Sequence, residues 1–228
     1  MSGQRIVLIG ATGMVGGEAL DMCLERPDVA TVTVIGRRSC GRASDKLREH
    51  LHEDFMSYES LHDALSDQDG ARFCLGAYTG AVADDLFRKI TVDFALAFGA
   101  ALRERSPAAS FCLLSGQGAD RSERARAAFA RYKGAAENGL IALKFPRLYL
   151  FRPGYIYPVQ PRREPNAMYR VARALYPVLR RLAPNASVTS RDLAGAMLHA
   201  ALYGVDDQAC VTLENADIRA LARRIERG

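Results

Sequence analysis

Short apolar runs alternate along this chain with longer stretches whose apolar positions recur at helical spacing. The runs predict strands at 5–9, 31–35, 51–55 (the weakest), 71–75, 110–114, 148–152 and 210–213. Between them, amphipathic spacing predicts helices at 14–25, 61–65, 83–105 and 123–138. Strands and helices in alternation give a parallel sheet covered on both faces, wound by right-handed crossovers, with ligands at the carboxyl ends of the strands. The rhythm changes after Pro153. Pro158, Pro161 and Pro165 mark an irregular stretch, followed by predicted helices at 167–182, 191–203 and 216–225, the last with Asn215 as its N-cap.

The first apolar run, Ile6-Val7-Leu8-Ile9, breaks into Gly10-Ala11-Thr12-Gly13-Met14-Val15-Gly16. Gly10 suits a tight turn, Gly13 allows a pyrophosphate close to the backbone, and Gly16 lets helix and strand pack closely. The helix that follows offers unpaired N–H groups and a partial positive charge to phosphate oxygens. A tight turn in an ordinary α/β protein is the plainer explanation, but the strand before and the helix after favour a nucleotide cradle formed by Gly10, Thr12, Gly13, Met14, Val15 and Gly16. The expected fold is therefore α/β: a doubly wound parallel sheet of Rossmann type. An NAD(P)-binding domain is expected over 1–157. A small, mostly helical C-terminal lobe, partly integrated with it, is expected over 158–228.

The second strand ends Val34-Ile35-Gly36-Arg37-Arg38, with no acid. A carboxylate there would bind a ribose 2′-hydroxyl, whereas guanidiniums accommodate a 2′-phosphate, so Arg37 and Arg38 favour NADP(H) over NAD. Asp54 and Phe55 are expected to flank the adenine. Leu75, Gly76 and Ala77 form a small-residue turn past which the cofactor can run.

Composition narrows the class. With 49% hydrophobic and 25% charged residues the chain reads as an ordinary soluble globular protein. No apolar run approaches the roughly 20 residues of a membrane span, and the N-terminal run is too short for a signal peptide. Cys23, Cys40, Cys74, Cys112 and Cys210 form no CxxC pair, which favours reduced thiols, a cytoplasmic setting and no metal site. The Asn185-Ala186-Ser187 sequon reads as chance. The net charge of +5 is spread over several helices without interleaved aromatics, so solvated faces and an anionic cofactor explain it better than nucleic acid. The 169–182 segment carries Val171, Leu175, Val178, Leu179 and Leu182 beside four arginines. It reads as a helix packed on the sheet, with a substrate lid, partner surface or membrane-surface contact as the alternatives.

These features, with Leu113-Leu114-Ser115-Gly116-Gln117-Gly118-Ala119-Asp120 and Arg152-Pro153-Gly154-Tyr155-Ile156, resemble the atypical short-chain dehydrogenase/reductase superfamily. Cys74-Leu75-Gly76-Ala77, the 87–93 segment, Lys133-Gly134-Ala135-Ala136-Glu137 and the 214–219 segment resemble its subgroup of Tat-interacting-protein-type NADP-binding oxidoreductases. The resemblance implies a catalytic serine and a Tyr-x-x-x-Lys pair, in which the ammonium lowers the phenol pKa toward a usable range. It assigns Ser115 to the substrate oxygen and Lys133 to the nicotinamide ribose. It also brings Pro153, Tyr155 and Ile156 near the nicotinamide. The position four before Lys133 is Phe129, which has no proton to give. Tyr132 is the neighbouring candidate, displaced from position 129 by about 4.5 Å along the helix and some 60° around it. Tyr155 and Tyr78 read as wall residues before they read as catalysts, and His50, His52, His62 and His199 have no partnered spacing. Two functions follow as expectations. One is an NADP(H)-dependent oxidoreductase acting on a small carbonyl substrate. The other is a catalytically weak NADP(H)-binding sensor or regulator acting through a protein partner. A small-molecule ligand and a protein partner or homo-oligomer are expected, without nucleic acid or integral membrane association.

Overall fold

Seven strands of the chain form one fully parallel sheet in a computed structural model that describes residues 3–160, 176, 181 and 186–225. In chain order come β1 (Gln4–Ile9), α1 (Met14–Glu25), β2 (Val29–Gly36), β3 (Leu47–Leu51), α2 (His62–Leu65) and β4 (Gly70–Phe73). They are followed by α3 (Asp84–Arg88), a π-helical turn at Lys89–Asp93, α4 (Phe94–Arg105), β5 (Ser110–Leu114), α5 (Ala128–Ala142) and β6 (Arg147–Arg152). β7 (Tyr155–Tyr157) and β8 (Ser187–Thr189) pair in a second, two-stranded parallel sheet. Then come α6 (Ser190–Tyr203), β9 (Cys210–Glu214) and α7 (Asn215–Ile225).

The strand order β3-β2-β1-β4-β5-β6-β9 reverses direction between β1 and β4, which opens a crevice at their carboxyl ends. Alternation along each strand splits the core. Ile6, Leu8, Cys112 and Tyr149 pack against α1 and α6, while Val7, Ile9, Phe73, Phe111 and Leu113 pack against α4 and α5.

Three sequence expectations are corrected. The weak third strand lies at Leu47–Leu51, not 51–55, because Leu47 to Leu51 pair with Val32 to Gly36. As a half-exposed edge strand, β3 carries no continuous apolar run; Phe55, which suggested one, is buried in a loop against Tyr58 and Phe94. Helix α5 starts at Ala128, not 123. The Asp120 carboxylate accepts from the backbone N–H groups of Ser122, Arg124 and Ala125 and holds that segment as a turn. The 83–105 helix is interrupted by the π-helical turn at Lys89–Asp93. The expected 167–182 helix lies outside the described residues apart from Tyr176, whose ring stacks on Tyr157, and Arg181. Asn215 begins α7, and its side-chain oxygen accepts from the Gly154 N–H.

Candidate functional site

The glycine turn is shaped by contacts that exclude side chains. Gly10 has φ +92, and a β-carbon there would lie 2.7 Å from the Cys74 carbonyl carbon. One on Gly16 would lie 2.1 Å from the Gly10 oxygen, so α1 is pressed directly onto the turn. Gly13 is the N-cap of α1, and no side chain caps it. The first turn of α1, beginning with Met14 and the buried Val15, therefore directs its N–H groups out over the carboxyl end of β1. Among the described residues, nothing but the Gly10 oxygen, at 3.1 Å, would crowd a β-carbon on Gly13.

Six of the residues expected to hold a cofactor line one pocket at this edge: Gly10, Thr12, Arg37, Arg38, Phe55 and Leu75. Arg37 and Arg38 are exposed, beyond the last residue of β2. Asp54 does not line this pocket; its carboxylate accepts from the Met56 N–H. Gly76 and Ala77 continue the turn after Leu75, with Gly76 exposed.

At the carboxyl end of β5 the expected catalytic residues part company. Lys133 is half-buried on α5, and its ammonium donates to the Leu114 carbonyl at 2.9 Å. Burial pushes that ammonium down to about 8. Ser115 is buried and donates its hydroxyl to Glu137 at 2.6 Å. Tyr132 turns elsewhere: its hydroxyl donates to Asp84 at 2.5 Å, and its ring packs on Phe87. The hydrogen bond to Asp84 raises the phenol's pKa, the wrong direction for an acid/base at neutral pH. The structure thus joins Ser115 and Lys133 at one strand end and sends Tyr132 to α3. Phe129 packs its ring tip on Gly116.

The unanticipated group is Glu137, wholly buried one turn beyond Lys133. Its carboxylate accepts from Ser115, from Arg121 Nε at 2.8 Å, and from Arg152 Nε and Nη2 at 2.9 and 2.5 Å. Arg121 extends the cluster to Thr212 on β9 at 2.7 Å. Burial alone would raise the Glu137 carboxyl, but the hydrogen bonds from Arg152, Ser115 and Arg121 hold it below its ordinary range. The Lys-x-x-x-Glu spacing was a usable signal, since i and i+4 share a helix face. Beyond β6, Pro153 is buried and its carbonyl accepts from the Gln117 N–H, while Tyr155 and Ile156 begin β7.

No protein-family profile matches the chain. It is 33% identical over 157 residues to the protein fmp52, mitochondrial, of Aspergillus clavatus, covering 67% of this chain and 66% of that one. It is 29% identical over 159 residues to protein HTATIP2 of Rattus norvegicus, covering 68% and 64%. The matched region is therefore just under two-thirds of either relative's length. Among solved structures, the Bordetella bronchiseptica enzyme WbmG in complex with NAD superposes with a TM-score of 0.68 at 12% identity, over 99% of this chain and 78% of that one. That likeness concerns the fold. The cytoplasmic expectation is corrected by the relatives, since several Fmp52 proteins carry the designation mitochondrial. With its seven-stranded parallel sheet, its glycine turn and these relatives, the chain belongs to the atypical short-chain dehydrogenase/reductase superfamily and resembles its HTATIP2-type members.

Proposed function

We propose that this protein holds NADP(H) at the β1–β4 crevice and turns it over weakly, acting as a cofactor-responsive binding protein more than as a fast dehydrogenase. The glycine turn suits a pyrophosphate, because Gly10 and Gly16 let α1 close directly onto the turn and Gly13 leaves the start of that helix without a capping side chain over its N–H groups. Arg37 and Arg38 would take the 2′-phosphate, Phe55 and Asp54 the adenine side, and Leu75 to Ala77 the middle of the cofactor. Lys133 would donate to the nicotinamide ribose, with Pro153, Tyr155 and Ile156 as the wall on that side. When bound, the nicotinamide supplies or accepts a hydride.

The observation that carries the reading is Phe129, seated on Gly116 where a proton donor is needed. Loss of a positioned acid typically costs about 10²- to 10⁴-fold in rate. Tyr132 does not replace it, since its hydroxyl is taken by Asp84. Rapid reduction of small carbonyls would need another donor.

The test is a titration of purified protein with NADPH and NADH, followed by a carbonyl panel with NADPH. The reading expects tighter binding of NADPH than NADH and slow oxidation across the panel. Robust turnover that vanishes in Lys133→Ala, with cofactor binding retained, would overturn it.

A further inference from the structure

We infer that Glu137 is a positioning residue that fixes Ser115 as a hydrogen-bond acceptor, so that the ligand group met at the end of β5 is a hydroxyl and not a carbonyl oxygen. This rests on the reading that a small ligand lies beside the cofactor at that strand end.

The hydrogen-bond inventory of Glu137 forces the orientation. Oε1 accepts from Ser115 Oγ and Arg152 Nε, and Oε2 accepts from Arg121 Nε and Arg152 Nη2. Two guanidiniums on one buried carboxylate keep it ionised. An ionised carboxylate only accepts, so the single hydroxyl proton of Ser115 is committed to Glu137. Oγ then has only lone pairs left to offer.

A carbonyl oxygen brought to Ser115 would meet those lone pairs without a proton between them. A hydroxyl would donate to them. The neighbours do not restore the missing donor at that atom: Phe129 has none, and Tyr132 donates to Asp84. Lys133 spends one N–H on the Leu114 carbonyl and keeps two, one for the ribose and one that suits a lone pair of the same ligand hydroxyl. A hydroxyl accepts from Lys133 and donates to Ser115, whereas a carbonyl accepts from Lys133 but sets its own lone pairs against those of Ser115.

The experiment compares matched pairs, cyclohexanol with cyclohexanone and 2-butanol with butanone, by ligand-observed NMR titration of the full chain with and without NADP+. The wild type is expected to bind each alcohol about tenfold or more tighter than its ketone, the size of one unsatisfied buried polar contact. In Glu137→Gln the amide oxygen at the Oε2 position keeps Arg121 Nε and Arg152 Nη2, while the NH2 group at the Oε1 position donates to Ser115 and costs Arg152 Nε its acceptor. That frees the Ser115 proton, so the preference shifts toward the ketone by a similar factor. Ser115→Ala, which leaves the Glu137–arginine pairs in place, is expected to bring the ratio close to one, and it covers the case in which the glutamine variant does not fold. Equal binding of both classes, binding of neither, or a ratio unmoved by both substitutions would overturn the inference. Failure of NADP+ to bind would instead overturn the cofactor reading, while the ratio is still read on the protein alone.

Discussion

Phe129 meets Gly116 end-on: a β-carbon on that glycine would lie 2.5 Å from Phe129 Cζ and 3.4 Å from both Cε1 and Cε2. The equal distances put that position on the long axis of the ring. A phenolic oxygen at residue 129 would lie on that axis between Cζ and this position, pressed against the Gly116 backbone. Phenylalanine here is therefore more than a tyrosine with its hydroxyl removed, because the loop after β5 has closed over the oxygen's place. Phe129→Tyr is expected to leave NADPH oxidation across a carbonyl panel at the wild-type background and to lower stability by about 1–3 kcal/mol, as overpacking does. Thermal melts and nicotinamide absorbance check both; a clear gain of turnover without loss of stability would show that the loop gives way.

The glycine turn was legible because its geometry admits little else. Gly10 needs a positive φ, and Gly16 lies where any β-carbon would strike the Gly10 oxygen. The exposed placement of Arg37 and Arg38 at the pocket was legible from their position just after a strand. Beyond the Lys-x-x-x-Glu spacing, the Glu137 cluster was hidden because its partners lie 15 to 22 residues away in sequence, on two other segments. A single glutamate in a helix reads as solvated until the arginines of β6 and the 115–127 loop fold over it. The third strand was misplaced for a related reason: an edge strand buries little, so its pattern is polar, while the buried Phe55 sits in a loop.

In the proposed NADP(H) site, Arg37 and Arg38 would carry the choice of cofactor. Each charge-assisted contact to a 2′-phosphate is worth about 1.5–3 kcal/mol, or roughly tenfold or more in affinity. Arg37→Ala and Arg38→Ala are expected to weaken NADPH by that factor each and to leave NADH nearly unchanged, because both side chains are exposed and make no packing contribution to the turn. Paired titrations read the ratio. Equal losses for both cofactors would place the arginines on the pyrophosphate instead.

Glu137 also anchors stability. Replacing it with Ala leaves Arg152 and Arg121 without their buried partner, a change that typically costs about 3–5 kcal/mol. The carboxyl is held below its ordinary value of 4.5 in the fold, so its contribution is fully present above that value and is lost as pH falls through the folded value. Urea melts at neutral pH and below about pH 4.5 should show the gap between wild type and Glu137→Gln narrowing in acid. A gap independent of pH would sink this assignment.

Lys133 gives a slope of the same sign in a more alkaline window. Its ammonium titrates near 8 in the fold, against an ordinary 10.5, because burial disfavours the charge. Between those values the unfolded chain binds more protons, so stability rises with pH across that window. The donor capacity toward a ribose hydroxyl falls over the same range. Wild-type stability is expected to increase and NADPH affinity to decrease as pH rises through about 8, and Lys133→Met is expected to flatten both curves. Wild-type affinity unchanged across the window would argue against contact between Lys133 and the cofactor.

Arg72 on β4 is wholly buried, donates one N–H to the Cys23 sulfur, and has Nε and Nη2 without hydrogen-bond partners among the described residues. Cys74 and Cys112 also lie near it, and burial pushes their thiols up to about 12 against the arginine's pull, so neither offers a thiolate to balance the charge. Ion pairs taken into a core seldom recover their desolvation cost even when both partners are present, and replacing them with apolar groups of similar volume is often neutral or stabilising by about 1–4 kcal/mol. A lone guanidinium recovers less. Methionine matches its unbranched shape and fills irregular space well. Arg72→Met is therefore expected to raise the denaturant midpoint with the m-value unchanged, whereas Arg72→Ala, which adds a cavity, should gain less or lose. Both leave the strand-end pocket intact, so NADPH titration should not move. A methionine variant less stable than wild type would show that the Arg72–Cys23 contact is worth more than the charge it buries.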